Sequence, residues 1–289
     1  MNGTGSLPKY RDDEGRSNRR GSAGFFVPVF CIQNILWYNG CSNPADRPRE
    51  ITAEGGVRRM KIVLLADLHG NMVATEAMER ELDRIRPDDI WFLGDAVGKG
   101  PESDRTCDWA RTHCGHWIAG NWDRSMSMYP EYNAFYRQQL GQERIDWLDS
   151  LPLEDELEIS GFRFRLVHGR FLDPLYLSFD TDEKLRAGFR FHDGRPEANG
   201  LICADSHRPF IRPLEGGYAL NTGSVGNNLS LPRAHALLLE GEAGPAPLNI
   251  TILSVPYDNR EAAERANPYP DLPNREAYQR EVRTGIYSR

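Results

Sequence analysis

Short runs of carboxylate, imidazole and amide side chains recur behind apolar segments: Asp67-Leu68-His69, Gly94-Asp95, Gly120-Asn121, Val167-His168-Gly169 and Ala204-Asp205-Ser206-His207. The first spacings are regular, with 24 residues between His69 and Gly94 and 24 between Asp95 and Gly120. Collected, the donors are Asp67, His69, Asp95, Asn121, His168, Asp205 and His207. Oxygen and imidazole donors without a thiolate suit Mn, Fe, Zn, Mg or Ni at a working site better than a structural zinc. These side chains exceed what one ion with an open position can use. Two divalent ions sharing a carboxylate would use them all, and Asp95, in the middle of the set, is the natural bridge.

Residues so far apart in sequence need a scaffold that gathers them. Lys61–Asp67 is a continuous apolar run of the kind a strand buried on both faces shows, and Asn71–Arg86 follows with apolar residues at helical spacing. Ile90–Leu93 reads as a second strand, Ser103–His113 as a helix and Trp117–Ala119 as a third strand. This β-α-β-α-β order predicts a parallel sheet, whose strand ends line one crevice. Helical stretches follow at Tyr132–Leu140 and Glu143–Leu151. Then come short strands at Glu156–Ile159, Phe162–Val167, Gly200–Ala204, Tyr218–Asn221, Ala234–Leu239 and Asn249–Val255. The working domain is expected over 60–255. Residues 1–59, rich in Gly, Ser, Asn and Arg, read as a dispensable extension, and 256–289 as a helical surface appendage or lid.

Charge narrows the partners. Residues 1–60 carry 9 Lys/Arg and 6 Asp/Glu, which leaves 26 and 36 of the chain's 35 and 42 for the remainder, a net of −10. So acidic a body argues against non-specific nucleic-acid or anionic-membrane binding, but not against a phosphate ester held at a metal. The apolar run Phe25–Tyr38 is broken by Pro28, Gln33 and Asn34 and is too short to span a bilayer. Five cysteines without a CxxC pair fit a reducing compartment, hence a cytoplasmic protein. A homo-oligomer is left open.

The motifs DLH, GDAVGKGP, GNWD, VHG and ADSH, in this order, resemble those of the calcineurin-like metallophosphoesterases, and Asn221–Gly226 (NTGSVG) is similar to a segment of its small bacterial phosphodiesterase and diadenosine tetraphosphatase-like members. The resemblance covers residues 60 to about 240. It implies a four-layer α/β/β/α sandwich of two mixed sheets and two divalent ions, manganese foremost. One ion would be held by Asp67, His69, Asp95 and His207, the other by Asp95, Asn121, His168 and Asp205. It further implies hydrolysis of a phosphodiester, aryl phosphate or phosphoanhydride by a hydroxide bridging the ions, with Asp95, Asn121 and Asp123 as the catalytic residues.

Two positions depart from the pattern. Trp122 stands where the family has a proton-donating histidine, and indole cannot give up a proton at neutral pH. Asp123, which normally orients that histidine, has nothing to orient. Asp205 replaces the first histidine of G-H-x-H; a carboxylate still ligates and moves the site toward harder ions such as Mn or Mg. The rival to an enzyme is the same fold with its chemistry lost, a binding module for a nucleotide or a protein partner.

Taken singly, each motif has a plainer reading as a cap, a turn or a structural histidine. Gly98-Lys99-Gly100-Pro101 lacks the G-K-[ST] ending of a P-loop and reads as a turn, and Gly223–Gly226 as a tight corner beside the site. Arg124 and Arg170, each beside a motif, are candidates to steer a substrate phosphate, and His192 or His235 to replace the missing acid. Cys107 and Cys114 read as core-side residues of one helix.

Overall fold

The structure is a computed structural model describing residues 59–289; residues 1–58, with most of the expected extension and the run Phe25–Tyr38, lie outside the described residues. Strand β1 (Met60–Leu65) shows why its sequence is apolar without alternation. Val63 and Leu65 enter a core shared with helices, while Ile62 and Leu64 enter a second core between two sheets. Burial on both faces needs apolar side chains at every position. Helix α1 (Met72–Ile85) follows, capped by the Asn71 side chain, which accepts from the Ala74 N–H at 3.1 Å. Then come β2 (Asp89–Phe92), α2 (Ser103–His113) and β3 (His116–Trp117), with β1, β2 and β3 parallel.

Helix α3 (Asn121–Met128) starts immediately behind Gly120, and a helical run α4 (Ala134–Ser150) is broken at Gly141, where φ is 68°, so the two helices expected there meet at a kink. The second sheet is built from β4 (Glu154–Ile159), β5 (Phe162–Val167), β6 (Gly200–Cys203), β7 (Phe210–Leu214) and β8 (Gly217–Asn221), with the short helix α5 (Asp182–Ala187) outside it. The strands β9 (Ala234–Gly241) and β10 (Asn249–Val255) return antiparallel to the first sheet. The orders are β10-β9-β1-β2-β3 and β4-β5-β6-β8-β7. Both sheets are mixed, they face each other across one core, and helices cover their outer faces: the four-layer sandwich that the sequence implied. Among the described residues no helix is long and apolar enough to cross a membrane.

Helix α5 is not among the elements expected from sequence, and β3 begins one residue earlier than expected; two further differences have reasons of neighbourhood. Strand β7 contains Pro213, which ends most strand assignments but is tolerated at the edge of a sheet, where β7 lies. Helix α3 begins inside a Gly-Asn pair that reads locally as a turn.

The C-terminal segment is woven into the core instead of lying on it. Helices α6 (Asn259–Glu264) and α7 (Arg275–Thr284) place Ala262, Ala263, Ala266, Leu272, Tyr278 and Val282 among the buried side chains that cover the first sheet. Periodicity over so short and charged a stretch could not reveal this, because only one stripe of α7 is apolar. Tyr278→Ala is expected to cost about 3–5 kcal/mol in urea-induced unfolding, the scale for emptying a buried aromatic site. A loss near zero would mean the segment does not contribute to the core.

Candidate metal centre

The carboxyl ends of β1, β2 and β3 in one sheet, and of β5 and β6 in the other, open on the same side of the sandwich, so loops as far as 138 residues apart in sequence deliver their polar side chains to one pocket. Asp67, His69, Asp95, His168 and His207 are all almost completely buried there. The backbone reaches this convergence in an unusual way. Asp67, His69, Asp95, Asp205 and His207 all have φ between 46° and 61°, the left-handed region that side chains seldom enter. The backbone ties holding them are specific. The Asp67 carbonyl accepts from the Ser224 hydroxyl and the Gly226 N–H, both at 2.9 Å, while Asp67 N–H donates to Gly94 O at 2.9 Å. A Cβ on Gly226 would lie 1.8 Å from Leu68 O, so the tight corner needs its glycine.

The three imidazoles are oriented alike. His69 Nδ1 faces Val97 O at 2.9 Å, His168 Nδ1 faces Leu93 O at 2.6 Å and His207 Nδ1 faces Asn227 O. A carbonyl only accepts, so each Nδ1 carries a proton and each ring turns its Nε2 inward, the arrangement of metal-binding histidines. His69 Nε2 and His207 Nε2 lie 3.2 Å apart. Two nitrogens on one ion at about 2.1 Å would lie about 3.0–3.4 Å apart, so the spacing fits a shared ion.

Asp67 stands at the centre. Its Oδ1 lies 3.5 Å from His69 Nε2, 3.3 Å from His207 Nε2 and 3.9 Å from His168 Nε2, and neither oxygen has a hydrogen-bond partner. Two groups have the spacing to hold an ion: Asp67, His69 and His207, and Asp67, Asp95 and His168. Asp67 is common to both groups, and Asp95 also faces one ring of each, His69 and His168. Asp95 Oδ1 accepts from Trp122 N–H at 2.8 Å, while Oδ2 lies 3.5 Å from His69 Nε2 and 3.3 Å from His168 Nε2. Asn121 Oδ1 and His168 Nε2 are also buried without a hydrogen-bond partner. Such orphaned acceptors are costly unless a cation meets them, so the donor set fits divalent metal.

Other candidates take different places. Asp205 reaches the pocket, but Arg170 occupies both of its oxygens and it belongs to neither ion-holding group. Asp123 accepts from the N–H groups of Asp95 (2.7 Å), Gly120 (2.8 Å) and Ala96 (3.0 Å), so it fixes the β2 and β3 loops and acts as a positioning residue. Trp122 forms a wall, edge-on to His69 and to Tyr136 with centroids 5.9 Å away in each case. Arg124 points away and binds the carbonyls of Asp149 and Leu151. His192 pairs with Asp173, and His235 is buried beside Asn228; neither lines the cleft. Cys107 and Cys114 are free thiols in the core.

Lys99, within a run that reads as a turn by sequence, reaches the pocket. Its Nζ lies 3.0 Å from His207 Nε2 and 3.3 Å from Asn227 Oδ1. The outer part of the cleft, about 440 Å3, is lined by Lys99, Asn121, Trp122, Arg170 and Arg289 among others. Arg289 reaches it through Glu281, which is buried in α7 and also accepts from Asn227 Nδ2 at 3.2 Å. The GKGP run was the one signal for Lys99.

Electrostatics follow from burial and mutual charge. Burial and the Lys99 ammonium push His69 down to about 4, which leaves it neutral near pH 7. Burial and Arg289 push Lys99 down to about 8. Burial opposes a charge on His168, yet the carboxylates of Asp95, Asp67 and Asp205 overcome it and raise the ring well above its ordinary value. Burial and the Asp95 carboxylate push Asp123 up to about 7, against backbone donors that hold it down.

A family model described as the calcineurin-like phosphoesterase superfamily domain matches residues 60–244. The chain belongs to that superfamily. Among solved structures, a metallophosphoesterase from Sphaerobacter thermophilus is 22% identical with a TM-score of 0.63, the match covering 78% of this chain and 99% of that one. Hypothetical protein PH1004 from Pyrococcus horikoshii OT3 is 19% identical with a TM-score of 0.65, covering 79% and 99%. At these identities the likeness is one of fold. Protein MJ0912 of Methanocaldococcus jannaschii is 24% identical over 174 residues, 57% of this chain and 69% of that protein.

His168 supplies a test of the donor set. A protonated ring must lose its proton to ligate, so divalent-metal affinity rises with pH up to the raised His168 value and levels off above it. Mn2+ titrated at pH 7 into the metal-free protein is expected to release close to one proton, read from calorimetric heats in buffers of different ionisation enthalpy. Release of none would show that His168 is not charged in the free pocket.

Proposed function

We propose that the protein is a cytoplasmic, dinuclear-metal-dependent phosphoesterase acting on a phosphodiester, aryl phosphate or phosphoanhydride. The observation that carries this reading is the set of buried polar atoms without hydrogen-bond partners, Asp67 Oδ1 and Oδ2, Asn121 Oδ1 and His168 Nε2, gathered with the Nε2 atoms of His69 and His207. Asp67 and Asp95 would hold both ions together, His69 and His207 would complete one site, and His168 with Asn121 the other. Bound there, divalent cations supply neutralisation of the phosphate charge and a water acidified enough to attack phosphorus, and manganese best suits so carboxylate-rich a set.

The chain's own residues would do the rest. Asp123 keeps Asp95 and the start of α3 in place through its backbone bonds. Asn121, the first residue of α3, stands where the positive end of the helix meets developing phosphate charge. Lys99, within hydrogen-bond reach of His207 Nε2 and Asn227 Oδ1, adds a positive charge at the cleft. Trp122 gives no proton, so the leaving group departs without general-acid help, a shortfall of roughly 10²–10⁴ in rate.

That shortfall makes leaving-group ability decisive. With Mn2+, kcat/KM is expected to fall steeply as the leaving group becomes more basic, with p-nitrophenyl esters and phosphoanhydrides far ahead of alkyl phosphomonoesters. A preference for alkyl phosphomonoesters contradicts this mechanism. Asp95→Ala is expected to abolish hydrolysis of bis-p-nitrophenyl phosphate while circular dichroism stays that of the parent, and undiminished hydrolysis would remove the centre from the chemistry.

The second reading, a binding module without turnover, is favoured by Trp122 in place of an acid and by Lys99 seated on His207. Metal analysis separates the two: about two ions per chain with turnover for the enzyme, none and no turnover for the module.

A further inference from the structure

Asp205 and Arg170 form a pair whose parts have unequal exposure. The carboxylate is 1% exposed and the guanidinium side chain 58% exposed. Arg170 grips both carboxylate oxygens: Nε lies 3.0 Å from Oδ1 and 2.9 Å from Oδ2, Nη2 lies 2.6 Å from Oδ1, and the Arg170 backbone N–H adds a bond of 2.8 Å to Oδ2. A carboxylate so engaged has little lone-pair capacity left for an ion, and Asp205 stands outside both groups with metal-holding spacing. The close approach is built in, since a Cβ on Gly169 would fall 2.9 Å from Asp205 Oδ2. The next residue, Phe171, is held at φ 96° with about half of its surface exposed, an uncommon conformation for a bulky side chain and one that marks ligand clamps more often than cores. Arg170, Phe171 and Asn121 line the same cleft.

The geometry points to Asp205 as the anchor of a phosphate clamp, not a metal ligand: a buried carboxylate that fixes the Arg170 guanidinium at the mouth of the metal pocket, where its outward N–H groups bind a non-bridging phosphate oxygen of the substrate. The inference rests on the phosphoesterase reading for the identity of the anion. An arginine already fixed by a carboxylate loses less freedom when it binds, so its fork is preorganised for a tetrahedral oxyanion. The substitution of aspartate for histidine in ADSH then exchanges one metal ligand for one fixed positive charge. Arg170 would touch substrate; Asp205 is a positioning residue.

Calorimetric titrations of the full chain and of Arg170→Ala, Asp205→Asn and the double variant, first with Mn2+ and then with inorganic phosphate, decide the matter. The expected result is the parent's number of Mn2+ ions and an affinity within a few-fold in all three variants. Phosphate affinity is expected to fall about 10- to 100-fold in Arg170→Ala, the scale of a lost charge-assisted hydrogen bond. It should fall by a similar factor in Asp205→Asn, with no further loss in the double variant, because the two act as one unit. Loss of an ion in Asp205→Asn would make Asp205 a ligand and overturn the inference, and so would parental phosphate affinity in Arg170→Ala. If the parent takes up no Mn2+, the phosphoesterase reading fails by itself, and the phosphate titration of the metal-free chain still decides the clamp.

Discussion

A carboxylate removed from water with no donor to meet it is among the least tolerable groups a fold can contain, and Asp67 is one. Its charge is met by neighbouring imidazoles and, farther off, by Lys99 and Arg170. Burial works against ionisation, yet His207 and His69 beside it, with His168 farther off, hold it well below the usual carboxylate range. The pocket therefore stores electrostatic tension that a divalent ion would relieve, and much of the surrounding architecture serves to prevent the obvious escapes. Asp67 cannot turn to solvent, because it lies at the end of a strand buried on both faces.

Backbone strain is the second cost of the same arrangement. Five of the site's non-glycine residues lie in the left-handed region, each at a cost on the order of 1–3 kcal/mol, and backbone and side-chain bonds around the pocket keep them there. Ser224 and Gly226 hold the Asp67 carbonyl, and Asp123 holds the amides of Asp95 and Gly120. This explains why Asp123 keeps a place in a chain whose Trp122 leaves it no histidine to orient. Its carboxylate is a staple for two loops, and a Cβ on Gly120 would strike Asp95 Oδ1 at 2.1 Å.

The parts of this design that were legible in the sequence are those where one residue's chemistry settles the matter locally. The KIVLLAD run announces a strand buried on both faces, α2 has the bounds its spacing gave, and the donors behind β1, β2, β5 and β6 could be named because strand ends in such a sheet share a crevice. What stayed hidden depends on partners distant in the chain. Nothing near Lys99 says that its side chain crosses to His207, 108 residues away, and nothing near Arg170 says that Asp205 takes up its fork. Arg124 and Arg170 looked equivalent beside their motifs, yet one caps the end of α4 and the other faces the cleft.

His168 grows from the second sheet yet leans on the Leu93 carbonyl of the first, 2.6 Å away, while His207 from the second sheet meets His69 from the first. An ion seated among these rings is therefore a rivet through both halves of the sandwich as well as a reagent. Its removal by a chelator would unfasten the sheets from each other at one edge, and occupancy at a thousand times the dissociation constant would be worth about 4 kcal/mol of resistance to unfolding. Thermal behaviour of this protein is consequently a gauge of its metal content.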